Sequence, residues 1–413
     1  MPAVTSEAPG PSRVSSTRSP ERPFFPALEG GLVYLDSAAS TLVPSPVIEA
    51  VCEVYRSGAG GVHRGVHRLS AASTASFEAA RTKFATAVSV EPERVVFGRG
   101  TTEALNVIAD GIARTRLGPG DEVLVSELCH HANLVGWQLR ASRVGARVVV
   151  APVDAHGVLT VDAIVERIGA RTRVVSLPHV SNVTGQVLDT EPIAAAARAH
   201  GALFVLDGAQ AFRSLTIDVN ELGCDAYVFG AHKAYGPNGV GVLVASSRLL
   251  DELPPLHGGG HMVLSVDDEA HVLAPSPAKH EAGSPNVEGV VGAARAVDYL
   301  QDARSRGATA RVADLTDELV RGLRSYPFVR VLGRPDRRTG IVSFAIEGVH
   351  AHDAATFFDE DGVAVRAGRM CAHPFFASLG VDDALRASLA VHTESSCLEA
   401  VFASLERTYE VLA

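Results

Sequence analysis

ALFVLDGAQA (202–211) and AYVFGAHKAYGPNG (226–239) decide the fold of this chain. Each opens as a short apolar run and closes on small residues, as a strand buried on both faces does where it meets a turn. The first ends at Asp207 and passes into Gly208, Ala209 and Gln210; the second ends at Gly230 and delivers Lys233 just beyond it. Ligands of open α/β sheets sit beyond the carboxyl ends of the strands. An acid there is either a site group or the cap of the next helix. A lysine there is either a solvated turn residue or a buried amine whose lowered pKa makes it a Schiff-base nucleophile. Taken together they suit pyridoxal phosphate, which needs a lysine for its aldehyde and a carboxylate to keep its ring nitrogen protonated.

The same rhythm extends outward. Val- and Leu-rich runs at Arg94–Phe97, Glu122–Val125, Arg147–Val150, Val174–Leu177, Leu203–Leu206, Ala226–Phe229 and Gly241–Ala245 read as buried strands. Ala-rich helical patterns at Thr102–Ala113, Leu134–Val144 and Ile193–His200 lie between them. That alternation predicts a mostly parallel, seven-stranded sheet covered on both faces. From 257 to 285 the chain turns to Gly, Pro, His and acidic residues, which reads as a hairpin excursion. Helices are expected at Val287–Ala303 and Thr309–Ser325. Strands at Arg330–Leu332, Ile341–Ala345 and Val363–Arg366 and helices at His352–Asp361 and Leu398–Leu412 then suggest a smaller α+β domain. The division is thus a disordered tail over 1–25, a large domain over 26–290 and a small C-terminal domain over 291–413.

Composition narrows the function. A formal net charge of −10 without a basic run argues against nucleic-acid binding. No stretch is apolar and long enough for a membrane span. The Ser-, Pro- and Thr-rich start lacks an apolar core, so it reads as a tail and not as a signal peptide. Cys52, Cys129, Cys224, Cys371 and Cys397 are scattered and form no CxxC pair, which fits a reducing cytoplasm and leaves no metal expected.

Two further segments carry chemistry. Gly100, Thr101 and Thr102 follow a strand and open a helix; they are either a plain cap or a phosphate cradle of backbone N–H groups and hydroxyls. Cys371 lies among Arg366, Arg369 and His373, where positive charge favours the thiolate that attacks sulfur. The other cysteines read as small buried hydrophobes.

The order YLDSAAS (34–40), RGTTEALN (99–106), HHANLV (130–135), HVSNVTG (179–185), LDGAQ (206–210) and GAHKAYGPNGVG (230–241) resembles the class V aminotransferase family. EAGSPN (281–286) and RAGRMCAHP (366–374) are similar to cysteine desulfurases of the sulfur-mobilising kind used in iron–sulfur cluster assembly. The likeness runs from about residue 30 to the C-terminus.

That resemblance implies a fold-type I pyridoxal-phosphate transferase. By it, Lys233 holds the cofactor covalently and moves the substrate α-proton, Asp207 pairs with the ring nitrogen, and His130 stacks on the ring. Gln210 and Asn182 match groups at the phenolic oxygen and the substrate carboxylate. Thr101, Thr102 and His232 match the phosphate cradle, with Ser284 supplied by the partner of a homodimer and the His63-Arg64 region completing the neighbour's site. Arg386, in RASLA, matches the clamp on the substrate carboxylate, assisted by Arg366. Cys371 matches the nucleophile that takes sulfur from L-cysteine as a persulfide, leaving alanine; a protein or thiol acceptor then removes the sulfur. Selenocysteine lysis, C–S β-lysis of a modified cysteine and epimerisation are the alternatives on the same fold.

Three features depart from the resemblance. Gly230 stands where the family usually has a hydroxyl, Arg369-Met370 where it commonly has two histidines, and Val391-His392-Thr393-Glu394 where it usually has Tyr-Asn-Thr. The expectation is that these changes cluster on the substrate and sulfur-relay side.

Overall fold

The structure, a computed structural model, describes residues 18–58, 60–63 and 65–413, so Arg64 lies outside the described residues. The large sheet contains β1 (Val95–Gly98), β2 (Glu122–Ser126), β3 (Arg147–Ala151), β4 (Thr172–Pro178), β5 (Leu203–Asp207), β6 (Ala226–Gly230) and β7 (Gly241–Ala245). Their order is β1-β7-β6-β5-β4-β2-β3, and β7 alone runs antiparallel to its neighbours. All seven apolar runs are therefore strands, and the parallel sheet is as expected.

Alternate residues of each strand feed two separate cores, because side chains in a strand alternate between faces. Val123, Val125, Val205 and Val228 pack under α3 (Thr101–Arg116) and α4 (His131–Ala141), which present Ile108, Ile112 and Trp137. Leu124, Phe204, Leu206 and Phe229 face the other way. They meet α1 (Ser45–Ser57), α2 (Arg68–Ala87), α5 (Glu191–Ala199) and α6 (Val287–Ser305) through Val47, Phe84, Ile193 and Val297. Every strand of the sheet centre is thus covered on both sides, which explains its unbroken apolar runs.

The small domain is a four-stranded antiparallel sheet, β8 (Val329–Leu332), β9 (Ile341–Ile346), β10 (Arg366–Gly368) and β11 (Ala384–Ser388), in the order β8-β9-β11-β10. It is backed by α7 (Ala308–Ser325) through Leu315 and Leu319, and by the C-terminal helix Ser395–Leu412 through Leu398, Val401 and Leu405. The excursion holds an antiparallel pair, Val263–Val266 with His271–Leu273, that exposes Leu264, Val266 and Val272.

Three sequence boundaries need correction. Order begins before residue 25: Ser19, Glu21 and Phe25 are buried, and Glu21 accepts from Tyr299 Oη at 3.0 Å and pairs with Arg306 at 2.9 Å. Residues 1–17 lie outside the described part. The division at 290 falls inside α6, a continuous helix whose apolar face belongs to the large core, so the change of domain comes at the α6–α7 junction. Helical periodicity alone could not reveal which core that face joins. Val363–Arg366 is not one strand: Val363–Ala364 pairs in parallel with Val33–Tyr34, whereas Arg366 opens β10. The chain's start is thereby stitched into the small domain, a long-range pairing that no local pattern reveals.

Candidate active site

β5 and β6 are adjacent and parallel, so their carboxyl ends open on the same side of the sheet. Asp207 closes β5, and the turn after β6 carries His232 and Lys233. Both face a cavity of about 1010 Å³ between the domains, which also receives Thr101, Thr102, His130, Asn182, Gln210, Arg366, Cys371 and Arg386. Residues separated by most of the chain's length thus meet in one place. Gly208 has to be small, since a Cβ there would overlap the Tyr227 ring. Gly241 likewise lets the start of α3 close on the sheet: a Cβ would stand 2.5 Å from the Gly100 backbone.

Burial sets the electrostatics. It lowers the Lys233 pKa to about 8, against the opposing pull of Asp207. It raises that of Asp207, which is held back by the Ala209 N–H donating to Oδ1 at 3.0 Å and by Lys233. Each member of the pair restrains the other from becoming neutral. His130 caps α4, with the Ala132 N–H donating to Nδ1 at 3.1 Å, which leaves the proton of its neutral ring on Nε2. Burial first, then Lys233, lowers its pKa to about 4; the same two causes hold His232 at about 4.

Asp36, whose role the sequence reading did not assign, organises the far wall. Arg386 Nη2 donates to Asp36 Oδ1 at 3.0 Å, and Arg366 Nη2 meets Oδ2 at 2.8 Å. Arg386 Nη1 donates to the Asn182 carbonyl at 3.0 Å, while Asn182 Nδ2 donates to the Met370 carbonyl at 2.6 Å. Asn182 therefore joins the arginine to the Cys371 turn. Burial pulls the Arg386 pKa down and Asp36 opposes it; Nε remains buried with no protein partner. The only signal for Asp36 was its place in YLDSAAS.

Cys371 is exposed, and with Met370 it takes a positive φ, of 55° and 48°. Such backbone is unusual for side-chain-bearing residues and places the turn under strain. The His131 N–H donates to the Cys371 carbonyl at 2.9 Å and holds the turn against α4. The positive surroundings read from sequence are more engaged than expected. Arg369 Nε donates to the Asp382 carbonyl at 2.6 Å, and Arg366 is committed to Asp36.

Two expected site residues lie outside the cavity of their own chain. His63 pairs with Glu78 at 3.1 Å and stacks on His261, and Ser284 is exposed on an adjoining cleft. The departure at 391–394 lies elsewhere as well, contrary to expectation. His392 is buried edge-on against Phe25, with ring centroids 4.9 Å apart, so its change answers to the N-terminal segment and not to the substrate.

The residues fit pyridoxal phosphate. Thr101 and Gln210 line the cavity, at the helix start and near the acid, and their Oγ1 and Oε1 are buried without any protein partner. Gly230 makes room for that hydroxyl: a Cβ there would stand 2.9 Å from Thr101 Oγ1.

The family model described as aminotransferase class-V matches residues 33–401. The chain belongs to the class-V aminotransferase family. Among relatives of this class-V protein, a probable cysteine desulfurase of Vibrio cholerae is 39% identical over 397 residues, covering 95% of this chain and 98% of the relative. A cysteine desulfurase of Klebsiella pneumoniae is 41% identical, covering 92% and 94%. The crystal structure of the Escherichia coli cysteine desulfurase CsdA, in an S-sulfonic acid form, superposes on the class-V chain with a TM-score of 0.89. It is 39% identical, with 95% of this chain and 98% of that one covered.

Proposed function

We propose that this protein is a pyridoxal-phosphate-dependent cysteine desulfurase that converts L-cysteine to L-alanine and retains the sulfur on Cys371. The observation that carries this reading is the meeting of Lys233, Asp207, Arg386 and an exposed Cys371 in one cavity. Similarity to the Vibrio and Klebsiella desulfurases over nearly the whole chain supports it.

Lys233 would hold the cofactor, Asp207 its ring nitrogen, and Thr101, Thr102 and His232 its phosphate, with His130 against the ring and Gln210 at its oxygen. Bound there, the cofactor supplies an electron sink next to the substrate α-carbon. Arg386, assisted by Arg366, orients the substrate carboxylate. Lys233, whose pKa of about 8 leaves part of it neutral near neutrality, takes the α-proton. The Cys371 sulfur attacks the substrate sulfur; the S–S bond forms as the C–S bond breaks. The departing electron pair stays with the carbon fragment, which gains a proton and leaves as alanine. The enzyme keeps a persulfide, and a protein or thiol acceptor removes its outer sulfur.

A homodimer is part of this proposal. His63, Arg64 and Ser284 would serve the neighbour's cavity, and exposed Ile48, Tyr55, Leu69 and Leu264 offer apolar surface for a second copy. A role in iron–sulfur cluster assembly in the cytoplasm is the wider setting proposed; no helix among the described residues is long and apolar enough to cross a membrane.

The test is alanine and sulfide release from L-cysteine, with cofactor and reductant, by native protein and Cys371→Ala. Equal amounts from the native enzyme and none from the variant are expected. No alanine from either, with the cofactor bound, would move the reading to another substrate, and retention in the variant to selenocysteine lysis or β-lysis.

A further inference from the structure

A second cavity, of about 450 Å³, lies behind the active site between the large and small domains. Four arginines line it, Arg213, Arg324, Arg337 and Arg338, against two acids, Asp317 and Asp336. Its floor is apolar, with Leu300, Val312 and Leu389.

Arg213 is the anomaly. It is 5% exposed, and its Nη1 donates to the Leu389 carbonyl at 3.0 Å. Nε and Nη2 are buried without a hydrogen-bond partner, and no carboxylate among the described residues forms an ion pair with it. Arg338 repeats the pattern: Nη2 donates to the Gly333 carbonyl at 2.7 Å, while Nη1 is buried and unpartnered. A buried guanidinium left unpaired is costly, and one that borders a cavity is matched by an anion that enters it. By contrast, Arg81, equally buried, is met by Glu281 at 2.7 Å, by Glu78 at 2.9 Å and by the Val95 carbonyl at 2.7 Å. Arg140, Arg304, Arg311 and Arg386 each leave a single buried nitrogen unpartnered, but among the described residues Arg213 alone leaves two.

We propose that this interdomain cavity binds a small organic anion, a phosphate or carboxylate on an apolar body, with Arg213 and Arg338 as its clamp. The charged group lies against the two arginines and the body against Leu300, Val312 and Leu389. The proposal is independent of which substrate the active site uses. The site is also placed to influence catalysis: the Arg213 charge is felt by both Lys233 and Arg386, whose pKa values it depresses, so an anion that neutralises Arg213 relieves both.

The test is calorimetric titration of the purified holoenzyme with phenyl phosphate, with inorganic phosphate and benzyl alcohol as the two half-probes. The cofactor's absorbance is followed in the same samples, so that occupancy of the cofactor's own phosphate cradle is seen as a spectral change. Expected is one site per chain for phenyl phosphate, no loss of cofactor, and clearly weaker binding of either half-probe. Arg213→Gln and Arg338→Gln are each expected to weaken phenyl phosphate by roughly tenfold or more. A structural role for Arg213 predicts that Arg213→Gln lowers the melting temperature without ligand; the anion site predicts an unchanged or higher one, because an unpaired buried charge has gone. No saturable binding up to about 10 mM, or binding that neither substitution weakens, would overturn the proposal.

Discussion

Arg386 of β11 and Asp36, which follows the first short strand, form an ion pair of 3.0 Å that ties the small sheet to the entrance of the large domain. The pair occupies Nη2 and the Asn182 carbonyl occupies Nη1, so the arginine is locked in orientation while Nε stays open. A fixed guanidinium loses little freedom when a carboxylate arrives. Arg386→Lys keeps the charge and discards this geometry. It is expected to raise KM for L-cysteine more than it lowers kcat, with a loss in kcat/KM of about thirtyfold, near 2 kcal/mol. Asp36→Asn is expected to move KM in the same direction by less. Steady-state kinetics check both.

Lys233 gives a pH prediction. Burial lowers its pKa from 10.5 to about 8, so its amine is protonated and unreactive below that pH. Uptake of pyridoxal phosphate by the cofactor-free protein, followed by absorbance, should accelerate with pH and level off near 8. Asp207 opposes the lowering, so Asp207→Ala should move the break to lower pH. A break near 10.5 in the native protein would mark Lys233 as a solvated side chain.

Thr101 and Gly230 share one space, with a Cβ at 230 standing 2.9 Å from Thr101 Oγ1 and 3.2 Å from His232 Nδ1. Thr101→Ala removes that hydroxyl, frees the space beside Gly230 and should weaken cofactor binding about fivefold, near 1 kcal/mol. Adding Gly230→Ser to that variant should restore most of the loss, whereas Gly230→Ser alone crowds Thr101 and should not tighten binding. Equilibrium dialysis of the cofactor distinguishes these outcomes.

His392 should govern acid stability. Burial holds its pKa at about 3, far below its ordinary value of 6.5, and Nε2 has no partner. The unfolded chain therefore binds a proton that the folded one refuses, and stability drains as pH falls from 6.5 towards 3. His392→Phe keeps an edge-on ring against Phe25 and removes the proton site. Its acid unfolding midpoint, read by circular dichroism, should lie at lower pH than that of the native protein.

The N-terminal segment should matter to stability well before the first strand. Glu21 is fully buried between Tyr299 and Arg306. Glu21→Ala leaves the tyrosine hydroxyl and the arginine without their acceptor, and a loss of about 3 kcal/mol is expected in chemical denaturation.

The seven-stranded sheet was legible in the sequence because strands buried on both faces must be apolar throughout, and Asp207 and Lys233 sit where such strands end. Periodicity likewise located α6 and α7, since their apolar stripes recur at helical spacing. The sequence alone determined these local matters. Only the tertiary structure decided which core α6 joins, that Val363–Ala364 pairs with Val33–Tyr34, and that Asp36 holds Arg386. The same is true of His392, whose place against Phe25 depends on a segment that local composition marked as a tail. Each of these is a meeting of residues far apart along the chain. Local propensity sets how a segment folds, but the partner of a buried charge or an unmatched strand edge is chosen by packing between distant segments.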